Sequence, residues 1–121
     1  MTGQNLTISI GRNIPGGGQL SQSHWDDFRD AVNDLAAQCI SEEPGAQVVQ
    51  RGAVTGLWDG EEEESYTVTV AGLNPTRVLY RPARDITVRA YVEAIAGHLC
   101  AAYWQDSVAV TWSTPEFIGP A

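Results

Sequence analysis

Polar and apolar residues alternate along three stretches of the chain, which is typical of half-buried β-strands. The apolar members of these stretches are Leu6, Ile8 and Ile10, then Tyr66, Val68 and Val70, and finally Val108, Val110 and Trp112. A fourth apolar stretch, from Gln47 to Trp58, also predicts a strand. Asp59 and Gly60 supply turn chemistry directly after it. We therefore expect a hairpin that joins the fourth stretch to the one containing Tyr66.

Two other segments carry apolar residues at helical spacing. In the first, which Ser21 or Ser23 can cap, the apolar face is Trp25, Phe28, Val32, Leu35, Ala36 and Cys39. In the second, for which we expect Asp85 as N-cap, it is Val88, Tyr91, Val92, Ile95, Leu99 and Tyr103. The order strand, helix, strand, strand, helix, strand predicts an α+β, ferredoxin-like βαββαβ fold, with two helices on one face of an antiparallel sheet.

The length of the chain predicts a single domain that spans residues 1–121. The first residues contain no charged start followed by an apolar core, and no stretch approaches 18 consecutive apolar residues. We therefore expect a cytoplasmic protein with no membrane partner. The two cysteines, Cys39 and Cys100, are expected to be buried thiols within the predicted helices.

The chain has 15 acidic and 7 basic residues, a formal net charge of −8, and every basic residue is arginine. An acidic surface repels phosphates, so we expect no direct contact with nucleic acid. The outward positions of the predicted strands agree, because they lack the aromatic and basic side chains that an RNA-binding sheet uses. These positions are Thr7, Ser9, Thr67, Thr69 and Thr111. The absence of lysine also excludes Schiff-base chemistry and the P-loop.

The densest block of negative charge lies at the predicted tip of the hairpin. It consists of Asp59, Glu61, Glu62, Glu63 and Glu64, next to Trp58. A block of this kind suits a protein with a basic surface, and Trp58 could anchor the contact. The alternative binding face is the acidic side of the first helix, which carries Asp26, Asp27, Asp30 and Asp34. A second copy of the chain, as a homodimer, is the other partner considered.

Three arginines in the loop before the second helix form a weaker candidate site. Arg77, Arg81 and Arg84 could bind an anionic group together, or they could neutralise nearby carboxylates. No spacing of cysteine, histidine or carboxylate residues matches a metal site. We therefore predict no metal, no cofactor and no catalytic residue.

The opening from Leu6 to Asn13, followed by a helix that starts near His24, Trp25 and Phe28, resembles small lysine-poor accessory proteins of actinobacterial phages. The resemblance covers about the first quarter of the chain. It implies an accessory protein that acts on another protein, and it supplies no catalytic residues.

The favoured hypothesis is a non-enzymatic, acidic protein-binding module that inhibits a host or defence protein by covering a basic surface. The alternative is a small cofactor-independent enzyme or ligand-binding domain, with a pocket between sheet and helices lined by His24, Tyr91 and His98. A virion assembly component is the second alternative.

Overall fold

The computed structural model of the chain describes residues 3 to 58 and 61 to 114. In chain order the elements are β1 (Gln4–Gly11), α1 (Gln22–Ser41), β2 (Gln47–Trp58), β3 (Glu61–Leu73), β4 (Val78–Leu79), β5 (Ile86–Thr87), α2 (Val88–Ala102) and β6 (Ala109–Ser113). Strands β4 and β5 pair with each other in the segment between β3 and α2. Within the described residues, neither helix is long and apolar enough to cross a membrane.

The four longer strands form one sheet in the order β2-β3-β1-β6, and each neighbouring pair is antiparallel. Both helices cover the same face of this sheet, because their buried residues share one core with alternate residues of the strands. Leu6, Ile8 and Val68 are fully buried at the centre of that core. This arrangement confirms the predicted ferredoxin-like fold.

Helix α1 begins after Ser21, whose hydroxyl accepts a hydrogen bond from the backbone N–H of His24. This N-cap is one of the two that the sequence offered. The buried residues of α1 are those of the predicted apolar face: Trp25, Phe28, Val32, Leu35, Ala36 and Cys39. The helical period alone therefore identified the buried side of α1.

Helix α2 differs from the prediction at its start. Its N-cap is Thr87, whose hydroxyl accepts from the N–H of Ala90, and the expected cap, Asp85, lies two residues earlier. Thr87 also belongs to β5, where it pairs with Val78. The small β4–β5 sheet therefore fixes where the helix can begin, and it brings Thr87 rather than Asp85 to the first turn.

The acidic run is the second difference. Strand β3 begins at Glu61, and Glu62, Glu63 and Glu64 pair with residues of β2. The predicted hairpin of β2 and β3 is present, but the prediction that Glu61 to Glu64 lie at its tip is wrong, because all four belong to the strand. Successive side chains of a strand point to opposite faces, so the strand separates glutamates that a turn would crowd together.

Candidate functional site

The face of the sheet opposite the helices carries small polar residues, and we call it the open face. Thr7 and Thr69 lie side by side on it, with their hydroxyl oxygens 3.0 Å apart, and the hydroxyls of Ser9 and Thr67 are 3.1 Å apart. These hydrogen bonds join β1 to β3 across the middle of the sheet. The open face is thus a ladder of paired hydroxyls, without large aromatic or basic side chains at these positions.

A cleft of about 780 Å³ lies at one end of the open face. It is lined by three segments of the chain: Ser9, Ile10, Gly11, Asn13, Ile14 and Pro15; Glu63 and Ser65; and Gln105, Asp106, Ser107 and Ala109. The lining mixes hydroxyl, amide, carboxylate and aliphatic groups. Its volume falls within the range that small-molecule sites occupy.

Glu63 is held in this cleft by a close approach to Gly11. A Cβ atom at position 11 would lie 2.6 Å from both Cδ and Oε2 of Glu63. Only glycine therefore leaves room for the carboxylate in its present position. Oε2 of Glu63 also accepts a hydrogen bond of 3.0 Å from the backbone N–H of Asn13. The carboxylate therefore occupies the space that Gly11 leaves open, and the hydrogen bond from Asn13 holds it there.

Arg12 lies between Gly11 and Asn13 in the chain. Its side chain points away from the open face, and the residue is 8% exposed. Its Nε donates to the backbone oxygen of Leu20 at 2.8 Å, and Nη1 donates to Oε1 of Glu64 at 2.9 Å. Neighbouring glutamates of β3 thus interact with neighbouring residues after β1, Glu63 on the open face and Glu64 with Arg12. This pairing ties the chain around the cleft to the start of α1.

The loop beside the cleft contains three glycines with positive φ, namely Gly16, Gly17 and Gly18. It is closed by backbone hydrogen bonds between Ile14 and Gly18, 3.0 Å, and between Gly17 and Ile14, 3.1 Å. Added Cβ atoms at the three glycines would meet nothing within 4 Å. These glycines therefore serve the backbone conformation of the turn, which places Ile14 and Pro15 at the edge of the cleft.

Both ionisable side chains that line the cleft, Glu63 and Asp106, are acidic. They come from opposite walls, Glu63 from β3 and Asp106 from the segment between α2 and β6. A cleft with this charge attracts cations and repels anions. Among the described residues there is no group of three or more histidine, cysteine or carboxylate side chains that could hold a metal ion.

The pocket that the sequence suggested between sheet and helices does not bring its three residues together. His24 packs against Trp104, with the ring centroids 5.2 Å apart, whereas the Tyr91 hydroxyl donates a hydrogen bond to the side chain of Gln38. His98 is exposed on α2. The space between helices and sheet is instead filled by the apolar core. The described cleft lies on the opposite face.

The candidate protein-binding residues have varied surroundings. Asp59, and the side chains of Trp58 and Glu61, lie outside the described residues. On α1, Asp27, Asp30 and Asp34 are exposed. Asp26 accepts hydrogen bonds from Gln22 and Arg29, and these lower the pKa of its carboxyl group. Part of the expected acidic face is therefore neutralised within the helix itself.

Two of the three loop arginines are paired with acidic residues at the end of α1. Arg77 Nη1 lies 2.6 Å from Oε2 of Glu43, and Arg81 Nη2 lies 3.1 Å from Oε1 of Glu42. Arg84 is exposed. The structure therefore agrees with the neutralising role for Arg77 and Arg81, since an anion would have to compete with these carboxylates.

Cys39 is unsuited to nucleophilic chemistry. It is a free thiol, 4% exposed, and burial raises its pKa to about 11. The thiolate is the reactive form of cysteine, so a raised pKa makes this side chain inert near neutral pH.

No family model matches the chain, and no curated protein matches it. A solved structure of a phage SAM lyase in complex with S-methyl-5′-thioadenosine aligns with 97% of this chain and 93% of its own length, at 21% identity and a TM-score of 0.43. That protein is an enzyme, and it holds a small molecule.

This finding contradicts the predictions of a non-enzymatic module, of an inhibitor and of a basic protein partner, and we report them as wrong. The sequence analysis missed Gly11, Asn13 and Asp106 as cleft residues. A glycine at the end of a strand is the one local feature that could have indicated a close approach.

Proposed function

We propose that the protein binds a small organic cation in the cleft on the open face, as a ligand-binding domain or small enzyme that needs no cofactor. The observation that carries this proposal is the carboxylate of Glu63, which lies in the space that Gly11 leaves open and is held there by the N–H of Asn13. A carboxylate held in place before the ligand arrives needs no ordering on binding, which favours affinity and catalysis alike.

The shape and lining of the cleft support an organic ligand. Its volume of about 780 Å³ is far larger than a single ion needs. Ile14, Pro15 and Ala109 offer apolar surface, while Ser65 and Ser107 offer hydroxyl groups that can donate or accept. Glu63 and Asp106 supply negative charge from two walls. A ligand with a positive centre and both polar and apolar parts would match all of these groups.

Glu63 is also the residue best placed to take part in chemistry. The hydrogen bond from Asn13 engages Oε2. Oε1 can then face a ligand, either as the counter-charge of a cation or as the acceptor of a proton. The nearby hydroxyls can orient the ligand by hydrogen bonds. The proposed reaction class is therefore proton transfer or charge stabilisation at a cationic substrate, carried out by side chains alone.

S-adenosylmethionine, a sulfonium cation, and S-adenosylhomocysteine, an uncharged thioether at sulfur, form a suitable pair of probes. They share the adenosyl and amino-acid parts and differ in the S-methyl group and in the charge at the sulfur. Calorimetric titration should show tighter binding of the cation by about tenfold, which corresponds to about 1.4 kcal/mol. Glu63→Gln keeps the shape of the side chain and removes its charge, so it should abolish this preference.

Glu93→Gln is the matched control, since Glu93 is exposed on α2 and its one ion pair among the described residues is with Arg89, at 3.1 Å. It changes the net charge equally, far from the cleft, and should leave binding unchanged. Chromatography of the incubated mixtures would show whether the bound cation is converted. If the wild type binds the two probes equally, or if Glu63→Gln retains the preference, the proposed role of Glu63 is wrong.

We also propose that the protein is related to the small lysine-poor proteins of actinobacterial phages and that it is cytoplasmic. The lysine-free composition and the opening segment from Leu6 to Asn13 support the first, and the lack of a membrane-spanning helix among the described residues agrees with the second.

A further inference from the structure

The turn after α2 contains a backbone conformation that bulky residues rarely adopt. Helix α2 ends at Ala102 with Tyr103 as its C-cap, and the next residue, Trp104, has φ of 53°. Helices commonly end with a residue in this left-handed region, but that residue is usually glycine. A tryptophan in this position costs backbone energy that a glycine would not. Something in the surrounding structure has to offset that cost.

The turn itself is a standard helix end in its hydrogen bonding. The N–H of Tyr103 donates to the oxygen of Leu99 at 3.1 Å, and the N–H of Gln105 donates to the oxygen of Cys100 at 2.9 Å. The second bond is the one that defines a Schellman motif. Because glycine could form the same bonds with less strain, the hydrogen bonds do not explain why the residue is tryptophan.

The side chains explain it better, because the turn rests on α1 through two aromatic contacts. The ring centroids of Trp104 and His24 are 5.2 Å apart, and the ring planes are tilted by 56°. One residue earlier, Tyr103 stacks on Phe28, with the ring centroids 4.5 Å apart and an interplanar angle of 11°. Trp104 is still 55% exposed, so its ring lies along the surface at the start of α1 rather than in the core.

The three residues that follow Trp104 are the second wall of the cleft: Gln105, Asp106 and Ser107. The direction of the chain through them depends on the backbone angles of Trp104. A shift there would move Asp106 relative to Glu63, which is fixed from the other wall.

From these observations we infer that Trp104 is a positioning residue: its ring contact with His24 holds residues 105 to 107 in place as a wall of the cleft. The effect of that wall on ligand binding rests on the proposed function above. The restraint of residues 105 to 107 by the ring contact does not depend on any ligand.

Two substitutions separate the ring from the backbone. Trp104→Gly removes the ring and relieves the positive φ, whereas Trp104→Ala removes the ring and keeps most of the backbone strain. The measurement is hydrogen exchange of the Gln105 amide by NMR. Loss of the aromatic pair should speed this exchange by about two- to tenfold in Trp104→Ala. The increase should be smaller in Trp104→Gly, because relief of the positive φ stabilises the same turn. The amide of Leu20, which donates to the backbone oxygen of Arg12 at 2.9 Å, is the internal reference, and its exchange rate should not change.

His24 provides the complementary test. His24→Phe retains a ring and should keep the Gln105 amide protected, whereas His24→Ala should resemble Trp104→Ala. Binding of S-adenosylmethionine should weaken in Trp104→Ala and His24→Ala, and stay near the wild-type value in His24→Phe.

The inference is overturned if Trp104→Ala keeps the Gln105 amide as protected as in the wild type, because the turn would then hold the wall without the ring. It is also overturned if exchange rises equally at Gln105 and Leu20, since Trp104 would then serve overall stability alone. If the wild type fails to bind S-adenosylmethionine, the proposed ligand class fails, and the exchange results still decide the role of Trp104.

Discussion

The two faces of the four-stranded sheet come from alternate residues of the same strands, and they are built in different ways. The covered face is apolar and continuous with both helices, with Leu6, Ile8 and Val68 fully buried. The open face relies on individual polar contacts, such as the hydroxyl pair of Thr7 and Thr69 and the carboxylate over Gly11. Burial therefore determines the fold on one face, while single contacts determine the site on the other.

This difference has a consequence for substitution. The free energy of unfolding that the covered face contributes scales with the apolar area it removes from water, so most of the stability comes from that face. On the open face most side chains already contact solvent, and the loss of one contact changes geometry more than stability. Substitutions on the two faces should therefore separate into those that unfold the protein and those that alter the cleft.

The largest effect is expected for Phe28→Ala on the covered side. Phe28 is fully buried, stacks on Tyr103 and meets Trp25 edge to face at 6.2 Å. Its removal leaves a cavity between α1 and the turn after α2, and should cost about 3–5 kcal/mol of unfolding free energy. Urea denaturation followed by circular dichroism measures this cost.

Asp30→Asn, at an exposed position of the same helix, is its control and should change stability by less than about 0.5 kcal/mol. Equal costs for the two variants would mean that the covered face does not hold most of the stability.

Arg12→Met should have the second largest effect, because Arg12 links the covered side to the cleft. Methionine retains much of the apolar stem but loses the hydrogen bonds to the Leu20 oxygen and to Glu64. Since Glu64 is 48% exposed, water can replace part of what it loses. The expected cost is about 2 kcal/mol, mostly from the buried bond to Leu20.

Arg89→Met removes an arginine from an exposed pair with Glu93 and is the matched control, expected to cost less than about 0.5 kcal/mol. If both variants melt at the same temperature, Arg12 is no more than a surface charge.

The sequence predicted the covered face well because its determinants are local. The spacing of Trp25, Phe28 and Val32 is enough to identify the buried side of α1. The alternation of Leu6, Ile8 and Ile10 does the same for β1, where all three are buried. Helical and strand periods are properties of a few neighbouring residues, and no knowledge of the partner is needed to recognise them.

The cleft could not be predicted in the same way because its contacts join distant segments. Glu63 meets Asn13 across 50 residues, and Glu64 meets Arg12 across 52. In the sequence, four adjacent glutamates indicate a solvated turn, since nothing nearby can neutralise them. Pairing of β1 with β3 supplies those partners, and only the register of the strands shows which glutamate faces which residue.

Gly11→Ala should change the cleft while leaving stability nearly intact. The new Cβ would overlap the carboxylate of Glu63, which is the flexible end of its side chain and can move away. We expect a loss of less than about 1 kcal/mol of stability. The Asn13 amide should lose its hydrogen bond to Oε2, which an NMR shift of that amide would report. Preference for a cationic ligand should fall as it does in Glu63→Gln.

Gly52→Ala is the matched control, because Gly52 lies in β2 beside Thr67 and a Cβ there meets nothing within 4 Å. It should be neutral or slightly stabilising, by up to about 1 kcal/mol. A Gly11→Ala variant whose Asn13 amide shift matches the wild type would show that the Glu63 carboxylate does not need the space that Gly11 leaves open.

The smallest effect is expected for the hydroxyl pair of Thr7 and Thr69. Valine has nearly the shape of threonine, so Thr7→Val and Thr69→Val remove the hydroxyls with little change in packing. Replacing both hydroxyls should cost less than the sum of the single changes, because each single variant leaves one hydroxyl without its partner. The expected coupling in a double-mutant cycle is about 0.2–1 kcal/mol.

Thr7 also lies opposite Thr111 on β6, and no hydrogen bond joins their side chains among the described contacts. The cycle of Thr7→Val with Thr111→Val should therefore give a smaller coupling. Coupling as large as the cost of Phe28→Ala would mean that the open face carries a share of stability comparable to the core, and the contrast between the two faces would fail.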